Sequence, residues 1–92
     1  MYTAAYTSRF KKDTKKAQKD SQRNKETLKE VMDTLLRGDT LAAKYKEHTL
    51  IGNYKGRQEC HLASDWLLIF SINLELKEVL FERLGSHSEL FG

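Results

Sequence analysis

Residues 56–66 of the sequence, GRQECHLASDW, carry a high density of titratable side chains. Arg57, Glu59 and His61 are two residues apart, so a β-strand would present all three on one face. Asp65 follows at a predicted turn. Histidine can take or give a proton near neutral pH, and arginine forms paired hydrogen bonds with phosphate. These groups could cleave RNA without a metal, which needs a base for the 2′-hydroxyl, a cation for the phosphate and an acid for the departing 5′-oxygen.

The chain has three histidines, and the other two flank the same predicted hairpin. His48 lies in the loop that leads into the hairpin, and His87 follows a predicted strand that contains Arg83. If that strand neighbours the central strand of the sheet, Arg83 and His87 approach the surface that carries Glu59. Acids, bases and cations would then gather on one side of a small sheet.

Other interpretations of these residues remain open. A zinc site is disfavoured because the histidines are 13 and 26 residues apart, which matches no compact ligand motif, so neither a metal nor another cofactor is predicted. A serine nucleophile is disfavoured because no G-x-S-x-G elbow surrounds the serines beside His87. The residues could also be purely structural, with Arg57 and Glu59 forming an ion pair that contributes little to stability.

Helical periodicity dominates the first half of the chain. Residues 8–20 form a very polar predicted helix, whose thin apolar stripe contains Phe10 and Ala17. A second helix is indicated by five apolar residues at helical spacing, which are Leu28, Val31, Met32, Leu35 and Leu36. Asn24 is expected to cap its N-terminus, and Gly38 to end it in a left-handed conformation.

From residue 57 the period changes to two, and strands are predicted at 57–62, 66–72 and 78–84. On the last of them Val79, Phe81 and Arg83 are expected to share one face. The middle run, WLLIFSI, is apolar on both faces and predicts a central strand. The helices would cover one side of it, and the C-terminal tail, folded as a turn or one helical turn, would cover the other. Residues 2–6 could add a short edge strand, and residues 39–55 look like loop.

These elements predict a single α+β domain over residues 1–92, with two N-terminal helices packed on a small antiparallel sheet. The sheet would be a three-stranded meander with a short N-terminal strand. Cys60 and Trp66 are expected in the core. A lone cysteine permits no disulfide within the chain, which fits a reducing cytoplasm. No apolar run approaches the roughly 20 residues of a membrane span and no secretory signal is recognised, so no membrane partner is expected.

The net charge of +3 is unevenly distributed. Residues 1–47 contain 12 Lys and Arg against 7 Asp and Glu, whereas residues 48–92 contain 4 against 6. Five lysines recur at helical spacing on the first helix, namely Lys11, Lys12, Lys15, Lys16 and Lys19. Such a face favours a polyanionic partner, either nucleic acid or an acidic protein, although a merely solvated helix face would carry the same residues.

A longer pattern runs through KYKEHTLIGNYKGRQECHLASDWLLIF and FERLGSHSELFG. It reads K-Y-K-x-H, then G-x-x-K-G-x-x-E-x-H-x-x-x-D-W-L-L-I, then R-x-G-[ST]-H-x-x-L-F, and all three histidines occupy pattern positions. From about Lys44 to Gly92 the chain resembles the YafQ-type toxins of bacterial type II toxin–antitoxin systems, within the RelE/ParE superfamily. The helical first half is compatible with this resemblance, which implies a RelE-like fold.

The resemblance implies a ribosome-dependent mRNA endonuclease that cuts mRNA in the A site of the 30S subunit and is neutralised by a cognate antitoxin of the DinJ/RelB type. The toxin would be monomeric alone, heteromeric with its antitoxin, and cytoplasmic. The catalytic positions carried over are His48, His61, Asp65 and His87, with His87 as general acid and His48 or Asp65 as base. The substrate-binding positions are Arg83, Phe91, Glu59 and Arg57. His61 and Arg83 would hold the phosphate, and Phe91 would place the nucleotide.

Two positions depart from the family pattern. Thr49 stands where many relatives have proline after the histidine, and Phe70-Ser71 replaces a usual Tyr-Lys pair, which removes a cation from the edge of the site. Neither change removes a catalytic group. Under the resemblance, the lysine face would meet ribosomal RNA and attract an acidic antitoxin segment. The alternatives are a ParE-like toxin that inhibits gyrase, against which the histidines argue, and a non-catalytic protein that binds RNA or an antitoxin.

Overall fold

The computed structural model describes residues 1–52 and 56–92, which form three α-helices and a five-stranded sheet. In chain order the elements are β1 (Thr3–Tyr6), α1 (Ser8–Gln18), α2 (Lys25–Leu36), β2 (His48–Thr49), β3 (Gln58–Ala63), β4 (Trp66–Asn73), β5 (Glu78–Gly85) and α3 (His87–Phe91), with a short 3₁₀ helix at Ala43–Tyr45. The predicted α+β class is confirmed, and β3, β4 and β5 form the predicted meander.

The sheet is mixed, with the strand order β1-β5-β4-β3-β2. β1 runs parallel to β5, pairing Thr3 with Glu78 and Tyr6 with Phe81, whereas the other neighbouring strands are antiparallel. The prediction of an antiparallel sheet is therefore wrong for the N-terminal strand, because its local sequence does not encode the direction of a distant partner. The edge strand β2 lies in a segment predicted as loop, since two residues carry no periodic pattern.

Side-chain caps determine where α1 and α2 begin. The Thr7 hydroxyl accepts a hydrogen bond from a backbone amide at the start of α1, and the Asn24 carboxamide accepts from two amides at the start of α2. α1 ends at Gln18, slightly before its predicted limit. Gly38 follows the end of α2 with φ at 78°, in the left-handed region that glycine tolerates best, as predicted.

β4 is buried on both faces, and each face has its own apolar cluster. Trp66, Leu68 and Phe70 belong to the main cluster, which buries Phe10 and Ala17 of α1 and packs against the whole predicted stripe of α2. On the opposite face, Leu67 and Ile69 pack with Leu50 and with Leu90 of α3. The C-terminal tail therefore covers the second face of the central strand, as predicted.

Cys60 is fully buried in the main cluster. Burial raises the pKa of the Cys60 thiol to about 12, because a thiolate would lose its hydration there. The thiol therefore stays protonated and behaves as the small core residue that was predicted.

A β-bulge interrupts the pairing of β4 with β5. Ile69 pairs with Arg83 but Phe70 pairs with Phe81, so Glu82 is the extra residue. The extra residue shifts the alternation of side chains along β5 by one position. Arg83 therefore lies on the same face of the sheet as Ile69, while Phe81 lies on the opposite face, in the main cluster. The prediction that Phe81 and Arg83 share a face is therefore wrong, because a period of two cannot encode an inserted residue.

The segment predicted as loop at 39–55 contains the short 3₁₀ helix and β2. Its residues 53–55, which include the centre of the predicted glycine-bracketed turn, lie outside the described residues. Within residues 1–52 and 56–92, no helix combines the length and the apolar composition needed to cross a membrane.

Candidate active site

Three histidines and one phenylalanine form a row of rings, here called the histidine row. The ring centroids of His48 and His61 are 6.1 Å apart, those of His61 and His87 are 5.9 Å apart, and those of His87 and Phe91 are 6.3 Å apart. The side chains of His48 and His87 are 50% and 54% exposed, and that of His61 is 22% exposed. A substrate can therefore reach every histidine of the row.

Glu59 is the buried anchor of the histidine row. Its side chain is 4% exposed, and its Oε1 lies 3.2 Å from His48 Nε2 and 3.4 Å from His61 Nε2. Strand pairing produces this geometry, since Glu59 is directly opposite His48 across β2 and β3 and two residues from His61. A buried carboxylate needs hydrogen-bond donors or positive charge to offset its lost hydration, and the two imidazole rings supply them.

The partners of each ring determine where its hydrogens lie. His48 Nδ1 is 3.1 Å from the carbonyl oxygen of Lys46, which can only accept, so this nitrogen carries a hydrogen. His61 turns Nε2 toward the Glu59 carboxylate, which also only accepts, so the neutral ring has its hydrogen on Nε2 and its lone pair on Nδ1. His61 is therefore set up to accept a proton at Nδ1.

Asp65 binds His87 at two atoms. Its Oδ1 accepts a hydrogen bond of 2.9 Å from the backbone N–H of His87 and one of 2.7 Å from Nδ1 of the ring. Both hydrogen bonds lower the pKa of Asp65 because they favour its charged form, and the bond from the backbone N–H has the larger effect. Since Nδ1 donates to Asp65, Nε2 is the end of His87 from which a protonated ring can give its hydrogen to a substrate.

Glu89 attaches the short helix α3 to the rest of the protein. Its carboxylate accepts from the Ser86 backbone N–H at 2.7 Å, while the Ser86 hydroxyl accepts from the Glu89 N–H, which completes a capping box. The same carboxylate pairs with Lys16 and, at 2.8 Å, with Arg23. These contacts, led by the hydrogen bond from Lys16, lower the pKa of Glu89 to about 2. We call the set of Glu89, Lys16 and Arg23 the α3 latch.

The α3 latch was not predicted from the sequence, although the Ser86-x-x-Glu89 spacing is the sequence signature of a capping box. Gly85 belongs to the same arrangement. A Cβ atom at this position would lie 2.9 Å from Glu89 Oε1 and 3.3 Å from a methyl group of Leu90. Glycine therefore lets α3 lie close against the end of β5.

The two arginines predicted to bind substrate have acidic partners. Arg83 is aligned with the histidine row through the sheet, since it pairs with Ile69, which pairs with Glu59. Its Nε donates to Asp13 Oδ2 of α1 at 2.8 Å. Arg57 Nε donates to both carboxylate oxygens of Glu82, at 2.9 Å each. The sequence did not indicate either acid, because each partner lies on a distant element.

The predicted lysine face is not uniform in the structure. Lys11, Lys12 and Lys15 are exposed on α1. Lys16 is also exposed but belongs to the α3 latch, and Lys19 caps the C-terminus of α1 rather than forming part of it. Lys16 therefore has a structural role that helical spacing alone could not predict.

His48, Glu59 and His61 could also hold a metal ion. One ligand atom from each residue lies within 4.8 Å of the other two. Two imidazole nitrogens and one carboxylate oxygen form a donor set that suits zinc or copper. The sequence spacing does not reveal this set, because His48 reaches the other two residues only through the pairing of β2 with β3.

Solved toxin structures share this fold over almost the whole chain. The metal-bound toxin from Helicobacter pylori is 40% identical with a TM-score of 0.91, and the match covers 99% of this chain and 100% of that one. The toxin chain of the Escherichia coli DinJ–YafQ complex is 36% identical with a TM-score of 0.90, and the match covers 100% of both chains. The fold is thus one that solved bacterial toxins share.

Sequence comparison narrows this class to one family. Residues 2–92 match the family model described as the bacterial toxin of type II toxin–antitoxin systems, YafQ, and the chain belongs to that family. The mRNA interferase toxin YafQ of Escherichia coli K12 is 44% identical over 61 residues, which is 64% of this chain and 64% of that relative. The match thus spans slightly less than two thirds of the relative's length. The resemblance seen in the sequence is confirmed.

Proposed function

We propose that this protein is a ribosome-dependent mRNA endonuclease that cleaves mRNA in the 30S A site by metal-independent acid–base chemistry, in the cytoplasm. The histidine row carries this proposal. His61 has its lone pair on Nδ1, His87 has its transferable hydrogen on Nε2, and their ring centroids are 5.9 Å apart. A base and an acid at this separation suit proton transfers on the two sides of one phosphate. The E. coli relative is named an mRNA interferase.

In this mechanism His61 takes the proton of a ribose 2′-hydroxyl, and the 2′-oxygen attacks the adjacent phosphorus. His87 gives its Nε2 proton to the 5′-oxygen as the bond from phosphorus to that oxygen breaks. The products are a 2′,3′-cyclic phosphate and a 5′-hydroxyl. Arg83 and His48 offset the negative charge that builds up on the phosphate, and Phe91 stacks on a base.

This assignment differs from the one implied by the resemblance, which named His48 or Asp65 as base. Asp65 Oδ1 accepts both of its described hydrogen bonds from His87, so Asp65 serves best to orient that ring and to stabilise its charged form. Both nitrogens of His48 face acceptors, namely the Lys46 carbonyl and Glu59. His61 therefore has the lone pair that is best placed to act.

Ribosomes carrying a defined mRNA provide the test. The parent protein should cut the message and leave 2′,3′-cyclic or 3′-phosphate ends opposite 5′-hydroxyls. His87→Gln should lose about 10²- to 10⁴-fold of the cleavage rate, since it lacks the acid. A thermal melt close to that of the parent would show that the variant is folded, because His87 is half exposed. Ends with a 3′-hydroxyl and a 5′-phosphate would point to a metal-activated water and contradict the mechanism.

We infer that the protein partner is a cognate antitoxin of the DinJ/RelB type, with which the otherwise monomeric toxin forms a heteromeric complex. The structure of the E. coli relative contains such a pair. The exposed cations of α1 would attract an acidic segment. Co-expression with the neighbouring short reading frame, followed by size-exclusion chromatography, tests this partnership.

We also propose that a transition metal inhibits this site rather than activating it. His48, Glu59 and His61 offer a suitable donor set, and the H. pylori relative was solved with metal bound. A metal on this set would occupy the imidazoles that the mechanism uses as the base and as a contact to the phosphate. Binding and cleavage would then compete for the same side chains.

A further inference from the structure

A second concave site adjoins the histidine row, and we call it the side pocket. Its volume is about 320 Å³, near the lower end of the roughly 300–1,000 Å³ range of ligand pockets. It lies between α2, the 3₁₀ helix and the turn from β3 to β4, and His61 forms part of its wall. The side pocket therefore opens beside the proposed base, and the cleavage mechanism gives it no role.

The lining of the side pocket combines two cations with a carboxylate. Lys44 and Lys46 line it, and Lys44 Nζ also lies 5.1 Å from the centroid of the Tyr45 ring. Tyr45 donates a hydrogen bond of 2.7 Å to Glu30 Oε2, which raises the pKa of Tyr45 and keeps the phenol protonated. Glu30 Oε1 accepts no hydrogen bond within residues 1–52 and 56–92, so it can accept one from a ligand.

Lys46 connects the side pocket to the histidine row. Its backbone is in the left-handed region, with φ at 48° and ψ at 50°, a strained conformation for a residue other than glycine. Its carbonyl oxygen accepts the hydrogen bond from His48 Nδ1, and its side chain lines the side pocket. Lys46 therefore contributes to both places, so the side pocket and the histidine row are directly adjacent.

We propose that the side pocket binds the nucleotide next to the scissile phosphate and selects a base that carries an exocyclic amino group. The lysines would neutralise its phosphate, and Glu30 would accept a hydrogen bond from the amino group of cytosine, adenine or guanine. Uracil lacks this amino group and offers Glu30 only its ring N3–H, so it is disfavoured. An acidic peptide fits the same lysines less well, because Glu30 would repel its carboxylates. The proposal rests on the proposed function, since it takes RNA as the substrate.

Binding of an uncleavable RNA tests the side pocket without requiring cleavage. The probe is a trinucleotide with deoxyribose at the cleaved position, titrated into the isolated toxin and followed by NMR. Amide signals of Thr27, Glu30 and Ser64 should shift together with those of His61. The double variant Lys44→Gln/Lys46→Gln should bind about tenfold more weakly, and the slope of log affinity against log salt should fall by about 0.7, since one phosphate is no longer neutralised. The control Lys29→Gln/Lys77→Gln removes the same charge elsewhere and should bind like the parent.

Cleavage of matched messages tests the selection of the base. Each nucleotide beside the cleaved bond is changed in turn, and at one position uracil should give the slowest cleavage. Glu30→Gln keeps an acceptor for Tyr45 but adds an amide donor, so it should reduce the discrimination against uracil. The lysine double variant should raise KM while kcat stays near that of the parent.

Three results would overturn the proposal. NMR shifts confined to the histidine row and Phe91 would place the whole ligand outside the side pocket. Equal cleavage of all four bases by both the parent and Glu30→Gln would remove the selection. A lysine double variant with the parent's RNA affinity but weakened antitoxin binding would assign the pocket to an acidic protein segment. If the parent cleaved no message, the proposed function would fail, and the NMR titration would still decide whether the pocket binds a nucleotide.

Discussion

Asp65 shows how an exposed residue can matter more for orientation than for stability. Its side chain is 63% exposed, so water competes for its oxygens and its bonds to His87 add little to the free energy of unfolding. The bonds nevertheless hold the ring from two directions, at the backbone N–H and at Nδ1. Because these bonds lower the pKa of Asp65, the carboxylate remains charged through mildly acidic pH and loses its hold on His87 only below the usual carboxyl range.

Asp65→Asn should therefore affect catalysis without unfolding the protein. The asparagine amide keeps the size of the side chain, but it can turn a donor toward Nδ1 and favour the wrong tautomer of His87. We expect the cleavage rate to fall between about tenfold and 10⁴-fold, with a melting temperature close to that of the parent. Nitrogen NMR of the His87 ring would report the change of tautomer. A variant that cleaves at the parent's rate would show that Asp65 does not orient the acid.

Transition metals should inhibit cleavage through the His48–Glu59–His61 set. Cleavage should proceed in a chelator selective for transition metals, and Zn²⁺ or Cu²⁺ should stop it reversibly. Calorimetry should detect one bound ion, and His48→Asn should weaken its binding because the set then has one imidazole fewer. His87→Gln is the matched control, since it removes a histidine outside the set. Cys60 should not contribute, because its thiol is buried and protonated. Stimulation of cleavage by added metal would contradict this prediction.

At the scale of elements, α3 depends on the α3 latch for its position, since it has a single turn of helix and one buried residue, Leu90. Glu89→Gln keeps the shape of the side chain but removes the charge that Lys16 and Arg23 share. A pKa lowered from 4.5 to about 2 corresponds to at most about 3 kcal/mol, so we expect a loss of about 1–3 kcal/mol in the free energy of unfolding at pH 7.

The pH dependence of this loss distinguishes the latch from a general packing defect. The pKa of Glu89 is lower in the folded than in the unfolded state, so its contribution is complete above about pH 4.5 and disappears as the pH falls toward about 2. The stabilities of the parent and Glu89→Gln should therefore converge over that range in urea melts. Glu75→Gln, which removes a carboxylate from the exposed turn between β4 and β5, should match the parent throughout. A difference that persisted at low pH would exclude the ion pairs as its cause.

Elements with strong local patterns could be predicted from the sequence, whereas contacts between distant segments could not. The apolar stripe of α2 and the run of β4 that is apolar on both faces each indicate which residues are buried. Because both faces of β4 had to be covered, the C-terminal tail could be assigned to its second face, as the structure confirms. The parallel direction of β1 and the bulge at Glu82 depend on pairing partners, so no local period contains them. The candidate catalytic residues stood out by type, but the anchoring of two histidines by Glu59 required the register of β2 against β3.

At the scale of the whole molecule, the charge of α1 should govern docking rather than chemistry. The triple variant Lys11→Gln/Lys12→Gln/Lys15→Gln should keep or raise thermal stability, because it relieves repulsion between like charges one turn apart. It should bind ribosomes more weakly, and its salt slope should fall by about 0.7–0.9 for each phosphate that the toxin no longer neutralises. Filter binding of toxin to purified ribosomes over a range of salt concentrations measures the affinity and the salt slope.

Lys16 must be kept out of that variant, because it supports α3 through Glu89. Lys16→Gln alone should lower stability, in contrast to the triple variant. The control Lys29→Gln/Lys77→Gln, which removes two charges elsewhere against three on α1, tests whether the loss of binding per charge depends on the position of the charge. Ribosome binding by the triple variant with the parent's affinity and salt slope would reduce the lysine face to an ordinary solvated surface.

The parallel pairing of β1 with β5 also determines when the fold can be completed during synthesis of the chain. β1 leaves the ribosome first, but it has no place in the sheet until residues 78–85 have been made, and such a distant closure is slow. Thr7, which caps α1, likewise waits for Phe81 and Glu82. A message cut upstream of the codons for β5 therefore yields a fragment with an unpaired first strand and no His87, exposed to proteolysis. If the proposed function holds, cleavage of the toxin's own message upstream of these codons would reduce the supply of folded toxin.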